Sequence, residues 1–352
     1  MKTKSIMPHL CDQKRRSFLK LSGLLGLGAA GAALLPTPQA EAVLFGGPKE
    51  YKVSETRLSM GSFLAITAIH PSRDEAEHAI GLAWEEIDRL CKLLSRHDSS
   101  TPLAHLNRTG TLPSGQMEVV EVVARSLYHH KQTGGAFDIT VQPVLDLYEE
   151  RFAAGRKPTD AEIAALLPRV GSEHIRFGNG GVSFAKEGMS ITLDALAPGY
   201  IVDRASEILT RRGVVNHLIN CSGDIRTSGS AAKGKPWTVA IQDPAKHRNY
   251  PEIVSMGTGA ICTSGDYEAF YDKEKIFHHI VNARTGHSPV QSTSVTVKGQ
   301  SSVMDADAMS TALFVMQPAD GLAFVNSRPG LECFLIDHAG DTKKSTGWNK
   351  LA

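Results

Sequence analysis

Asp307 and Thr311 stand four residues apart in Met304-Asp305-Ala306-Asp307-Ala308-Met309-Ser310-Thr311-Ala312. The run opens an apolar helix continuing through Leu313-Phe314-Val315-Met316, so the two side chains share one helix face. A carboxylate and a hydroxyl there are hard oxygen ligands suited to Mg²⁺ shared with a substrate phosphate. A plainer reading makes Asp305 the helix N-cap and Asp307 a partner of the helix dipole, which leaves Thr311 unexplained.

Five further glycine-rich or polar turns carry reactive side chains. Gly134-Gly135-Ala136-Phe137-Asp138-Ile139-Thr140-Val141 sets Asp138 among apolar neighbours on an expected strand, as a ligand contact or as a turn or edge-strand carboxylate. Ile191 to Asp203 reads as a buried strand broken at Pro198-Gly199, with a helix from Tyr200. Helix N-termini favour anions, although an ordinary strand-to-helix connection looks the same. Asn220-Cys221-Ser222-Gly223-Asp224 presents small residues for close backbone approach, or is a tight turn formed by Asn220 and Asp224. Ile261-Cys262-Thr263-Ser264-Gly265-Asp266 groups oxygen-bearing side chains that could hold a sugar or phosphate, or satisfy the turn itself. His278-His279-Ile280-Val281-Asn282-Ala283-Arg284-Thr285-Gly286 offers a histidine and an arginine that could meet a phosphate, or a pair serving packing.

The elements that must position these groups follow from periodicity. Ser72 to Leu94 is the clearest helix: Ser72 and Glu75 form a capping pattern, and Ala76, Ile80, Trp84, Ile87, Cys91 and Leu94 recur at helical spacing. Further helices are expected over 117–131, 159–167 and 200–212. Strands are expected over 63–69, 137–141, 182–184, 189–193, 217–219, 237–241, 292–297 and 333–336. Helices and strands mix without regular βαβ alternation, which predicts an α+β fold.

Residues 14–42 form a unit of their own. Lys14-Arg15-Arg16-Ser17-Phe18-Leu19-Lys20 precedes a 15-residue apolar run, Leu21 to Leu35, and a small-residue cleavage signal ending at Ala42. This is a secretory signal peptide of the twin-arginine (Tat) type, too short in its apolar run to span a bilayer. The expected organisation is therefore a signal peptide over 1–42 and one domain over 43–352, with a periplasmic location. The whole chain has 352 residues and net charge +1. Removing the six Lys/Arg and two Asp/Glu of the leader leaves 32 against 35, near −3. That balance argues against a dedicated nucleic-acid binder. Four cysteines remain (Cys91, Cys221, Cys262, Cys333), widely spaced and without a CxxC pair, as expected of scattered buried thiols.

In this order the motifs resemble the ApbE family of FAD:protein FMN transferases, from about Met60-Gly61-Ser62, through Ser95–Asn107, the five turns and WTVAIQDP (237–244), to about Met316. The resemblance implies an α+β, T-fold-like protein of mixed and antiparallel sheets packed with helices, binding FAD in a cleft. It implies a Mg²⁺-dependent transfer of FMN to a threonine or serine hydroxyl of a target flavoprotein, with AMP released. Target classes implied are membrane redox subunits of the RNF, NQR or NosR-like type and secreted reductases. Carried over by motif, Asp307, Thr311 and the backbone carbonyl of Ala195 would bind Mg²⁺. His279 would transfer the proton, and Met60, Asp138, Thr263, Gly265 and Asp266 would line the FAD cleft.

The chain departs from the family pattern at three motif positions. Pro198 replaces a usual lysine, Asn282 a usual aspartate, and Ser222 a usual glycine. These departures leave room for two other functions, an FAD pyrophosphatase releasing FMN and AMP, or a non-catalytic periplasmic FAD-binding protein.

Overall fold

A computed structural model describes residues 41–43 and 50–349, apart from 179, 246–249 and 301. All of the expected leader except residues 41 and 42 lies outside the described residues. The chain begins with three strands, β1 (Glu41–Val43), β2 (Glu50–Ser59) and β3 (Ser62–His70), followed by helices α1 (Arg73–Leu94) and α2 (Pro102–Thr109). Then come β4 (Thr111–Leu112), α3 (Met117–Gln132), α4 (Gln142–Ala153), α5 (Asp160–Leu166), β5 (Ile175–Gly178), β6 (Gly181–Phe184) and α6 (Ala197–Arg211). Strands β7 (Asn216–Cys221), β8 (Asp224–Ser228), β9 (Trp237–Ile241), β10 (Glu252–Met256), β11 (Gly259–Gly265) and β12 (Ser294–Gln300) precede α7 (Val303–Val315) and α8 (Pro318–Asn326). The order ends with β13 (Glu332–Ile336) and β14 (Thr342–Lys344).

Nine strands make one antiparallel sheet in the order β1-β2-β3-β7-β8-β11-β12-β13-β14. Side chains alternate across it with the two-residue period of a strand. Ala260 and Cys262 face the main core beneath α1, α6 and α7, whereas Ile225 and Ile261 face a second core with Val239, Val254, Phe334 and Trp348, covered by the β9–β10 hairpin. The α+β expectation holds.

Helix α1 matches its periodicity. Ser72 Oγ accepts the Glu75 N–H, and Ala76, Ile80, Trp84, Ile87 and Leu94 are buried. Thr159 and Glu162 form a reciprocal capping box at the start of α5. Among the described residues no helix is long and apolar enough to cross a membrane. All four described cysteines are free thiols, and Cys221, Cys262 and Cys333 are buried.

Two expected strands are not strands. Residues 137–141 make a turn and a short 3₁₀ segment (Ile139–Val141), because Asp138 caps it through the Thr140 N–H. Residues 189–193 are buried but pair with no strand. The Asn107 side chain donates to the Ile191 carbonyl and accepts the Ile191 N–H, both at 2.8 Å, in place of a ladder. Helix α6 begins at Ala197, three residues earlier than expected. Pro198 is tolerated in the first turn, where no N–H is needed.

Candidate active site

The helix bearing Asp307 and Thr311 is held from below by another acid. Asp203 of α6 accepts the N–H groups of Val303 (3.0 Å) and Met304 (3.1 Å) and the Ser302 hydroxyl (2.8 Å), satisfying the N-terminus of α7. Ser302 is the N-cap, not Asp305. Asp305 instead crosses to α3, taking two 2.6 Å bonds from Arg125 and lying 2.8 Å from His129 Nε2. Burial opposes its ionisation, yet the His129 and Arg125 bonds pull its pKa down to about 2.

Asp307, two residues on, is 6% exposed and finds no such cation. Its Oδ2 is buried without a hydrogen-bond partner. Burial first, then the neighbouring Asp224, push its carboxyl well above the carboxylate range, and only the Gly199 N–H opposes this. That N–H is the one that would close the first helical turn on Ala195, four residues back, so the Ala195 carbonyl stays outside the α6 ladder. Gly199 itself is dictated by packing: a Cβ there would lie 2.6 Å from Met304 Cα. Thr311 Oγ1 sits 3.1 Å from Ser264 Oγ, which brings the end of β11 to the same face of α7.

An orphaned buried carboxylate oxygen, a hydroxyl one turn away and a carbonyl outside the ladder fit a hard divalent cation. Asp307 and Thr311 lie one turn apart on α7, and the Gly199 N–H, four residues beyond Ala195, reaches Asp307. A further acid acting on Asp307 is Asp224, which sequence reasoning treated only as a turn former. Asp224 starts β8 after the Ser222-Gly223 turn, its carboxyl pushed up by burial against the pull of a Cys262 hydrogen bond. Its signal was its position, an acid directly after a glycine turn between two apolar strands.

His279 belongs to the long connection between β11 and β12. Its Nδ1 is 2.9 Å from the Ala269 carbonyl, and as the donor there it leaves Nε2 free to accept a proton. Burial lowers its pKa, with the Ala269 carbonyl acting against it. Asp194, the residue before Ala195, acts through its charge on both His279 and Asp307, raising each pKa. Asp194 in turn is paired with Arg96 at 2.9 Å.

The remaining expected residues divide. Thr263 bonds Thr296 across the β11–β12 ladder (2.8 Å). Gly265 has no room for a side chain, since a Cβ would come within 2.3 Å of the Tyr267 ring. Asp266 is fully buried, accepts the Thr293 hydroxyl (2.8 Å) and lies 3.4 Å from His338 Nε2. Met60 is half-buried at the β2–β3 turn and packs on the main core. Asp138 is turned inward: its carboxylate accepts the Thr140 N–H and hydroxyl and the Ser172 N–H and hydroxyl, and lies 3.2 Å from His130 Nδ1. These bonds outweigh burial and hold its pKa down. Arg284 donates to the Gly134 carbonyl (2.6 Å), tying two turns together.

With this geometry in place, residues 60–335 match the profile of the ApbE family, and the chain belongs to that family. Curated relatives include a FAD:protein FMN transferase of Klebsiella pneumoniae, 29% identical over 82% of this chain and 85% of the relative. One of Vibrio cholerae is 31% identical over 68% of this chain and 74% of the relative. Among solved structures, the ApbE protein of Thermotoga maritima superposes with a TM-score of 0.77 at 25% identity, covering 85% of this chain and 99% of that one. The flavin transferase ApbE of Vibrio cholerae does so with a TM-score of 0.72 at 25% identity, covering 89% and 100%.

Proposed function

We propose that this chain is a FAD:protein FMN transferase that attaches FMN through a phosphoester to a threonine or serine of a target protein. The observation that carries this reading is the orphaned, buried Asp307 carboxylate one helical turn from Thr311. Asp307, Thr311 and the Ala195 carbonyl would hold Mg²⁺, which would neutralise charge on the FAD diphosphate.

The chain's own groups account for the rest. His279 Nε2 takes the proton of the incoming hydroxyl, whose oxygen forms a bond to the FMN phosphorus. The diphosphate P–O bond breaks, and AMP leaves with that electron pair. A lowered pKa keeps His279 unprotonated and ready to accept at neutral pH. The fixed scaffold of α7 and β11 positions the reacting groups, the main contribution expected for phosphoryl transfer. The twin-arginine leader supports export, and periplasmic or membrane redox flavoproteins of the RNF, NQR or NosR-like type, or secreted reductases, are the proposed acceptors.

The test incubates the exported form with FAD, Mg²⁺ and an acceptor fragment carrying a flavinylation threonine, followed by mass spectrometry. Gain of one FMN by the acceptor is the expected result. FAD cleaved to FMN and AMP without acceptor modification would make the protein a hydrolase. Intact FAD under every metal condition would leave it a carrier.

A further inference from the structure

Two strand-to-strand turns at one end of the large sheet are built alike and touch. Ser59 pairs with Ser62 across a two-residue loop, Met60-Gly61, and Cys221 pairs with Asp224 across another, Ser222-Gly223. All four loop residues have positive φ: 51° at Met60, 73° at Gly61, 54° at Ser222 and 109° at Gly223. This is the type I′ pattern, in which the first position favours Asn, Asp or Gly. Met60 and Ser222 have neither the small backbone of glycine nor the turn-forming side chain of asparagine, so both occupy a costly conformation. Because β3 lies beside β7 in the sheet, with Leu64 opposite Cys221, the two loops are neighbours. The Ser62 and Ser222 hydroxyls hydrogen-bond to each other between them.

The bridge lies next to the strands that carry α7: β8 pairs with β11, Ile225 opposite Ile261, and Ser264 of β11 stands 3.1 Å from Thr311. Ser222-Gly223 leads directly into Asp224, whose charge is felt by Asp307. On the other side of the bridge, Met60 exposes part of its side chain while packing on the main core. Glycine at 222 would fit the backbone at lower cost but would offer no hydroxyl.

We propose that Ser222 is a positioning residue for the dinucleotide: through its hydroxyl bridge to Ser62 it locks the Met60 turn against the Asp224 turn, so that Met60 is preset to contact FAD beside the oxygen donors. The inference rests on the FAD reading above. It explains why a strained serine occupies this turn, since strain at Ser222 is exchanged for a fixed lip on the cleft.

The experiment compares wild type, Ser222→Gly, Ser62→Ala and the double variant by thermal melting and by FAD titration, each on the full exported chain. Ser222→Gly should raise Tm by about 2–4 °C, because glycine relieves the left-handed backbone. It should also weaken FAD binding by roughly 5–10-fold. Ser62→Ala, which leaves the strained backbone in place, should weaken FAD to the same extent without raising Tm. The double variant should bind FAD no more weakly than either single one, the non-additivity of one shared contact. A merely structural bridge would lower Tm and affinity together in Ser222→Gly, and that result overturns the proposal. So does unchanged FAD affinity in either single variant, or additive losses in the double. Wild type that binds no FAD at all would instead defeat the flavin reading, whereas wild type that binds while the variants bind equally well defeats only the role of Ser222.

Discussion

Asp138 and Asp307 are both buried acids in motif turns, and their surroundings are opposite. Around Asp138 the chain supplies four hydrogen-bond donations from Thr140 and Ser172, and a histidine besides. The carboxylate ties the 3₁₀ turn after α3 to the segment before β5, and it is stable as an anion. Around Asp307 the chain supplies one backbone N–H, two further acids in range and an oxygen with no donor. A buried charge left unpaired costs several kcal/mol. A fold tolerates it where a ligand completes it. Satisfaction by the protein's own donors therefore sets Asp138, which builds the fold, apart from Asp307, for which we propose a cation. Asp305, two residues before Asp307 and held by Arg125 and His129, repeats the contrast within one helix.

The contrast breaks if the two acids respond alike to neutralisation. Asp307→Asn should cut transfer by a factor on the order of 10³ or more, the loss that the proposed Mg²⁺ role of its carboxylate implies. The same change should raise the Tm of the metal-free protein at neutral pH and abolish any rise on adding Mg²⁺. The sign follows from the upward pKa shift. An acid with a raised folded-state pKa favours the fold below its unfolded value and loses that contribution as pH rises through the folded value. The stability advantage of Asp307→Asn should therefore shrink toward pH 4. A variant that melts lower at pH 7 would show that Asp307 is structural.

Asp138→Asn should do the reverse. Loss of a bonded anion facing several donors should cost about 2–4 kcal/mol of stability, read from denaturant unfolding. The fraction that stays folded should keep its turnover within about threefold, since these bonds are internal. A turnover loss comparable to that of Asp307→Asn would move Asp138 into the reacting centre.

The smallest effect sharpens the comparison at the histidines. Burial lowers the pKa of His279, so the acid limb of the transfer rate should fall below pH 6.5, by about tenfold per unit once the proton is taken up. His130, raised chiefly by its bond to Asp138, should leave that limb in place when replaced by glutamine. A limb centred above 6.5, or one moved by His130→Gln, would contradict the assignment of the base.

Much of the fold was legible where periodicity was strong. Helix α1 has an apolar stripe and a serine cap, and both act as their spacing predicts. The hairpin β9–β10 was half visible, because β9 is apolar and regular whereas β10 exposes Ile253 and was not among the expected strands. Residues 137–141 and 189–193 misled for a common reason: their alternation is that of a strand, but Asp138 and Asn107 satisfy the backbone with side chains. At Asn107 that choice depends on a partner 84 residues away and has no local signal, whereas at Asp138 the bond to the Thr140 N–H is a local turn that the alternation masked.

By itself, the amino-acid sequence determined the α+β class, the capped apolar stripe of α1 and the four-residue spacing of Asp307 and Thr311 on one helix, because these depend on spacing along one chain. Tertiary structure decided which acids are satisfied. Asp138 and Asp305 find donors on distant segments, while Asp307 is brought beside Asp224, Asp194 and the Gly199 N–H. Tertiary structure also laid the Met60 and Ser222 turns side by side. Hydrogen-bond completion and desolvation are properties of the packed chain, and no residue carries them alone.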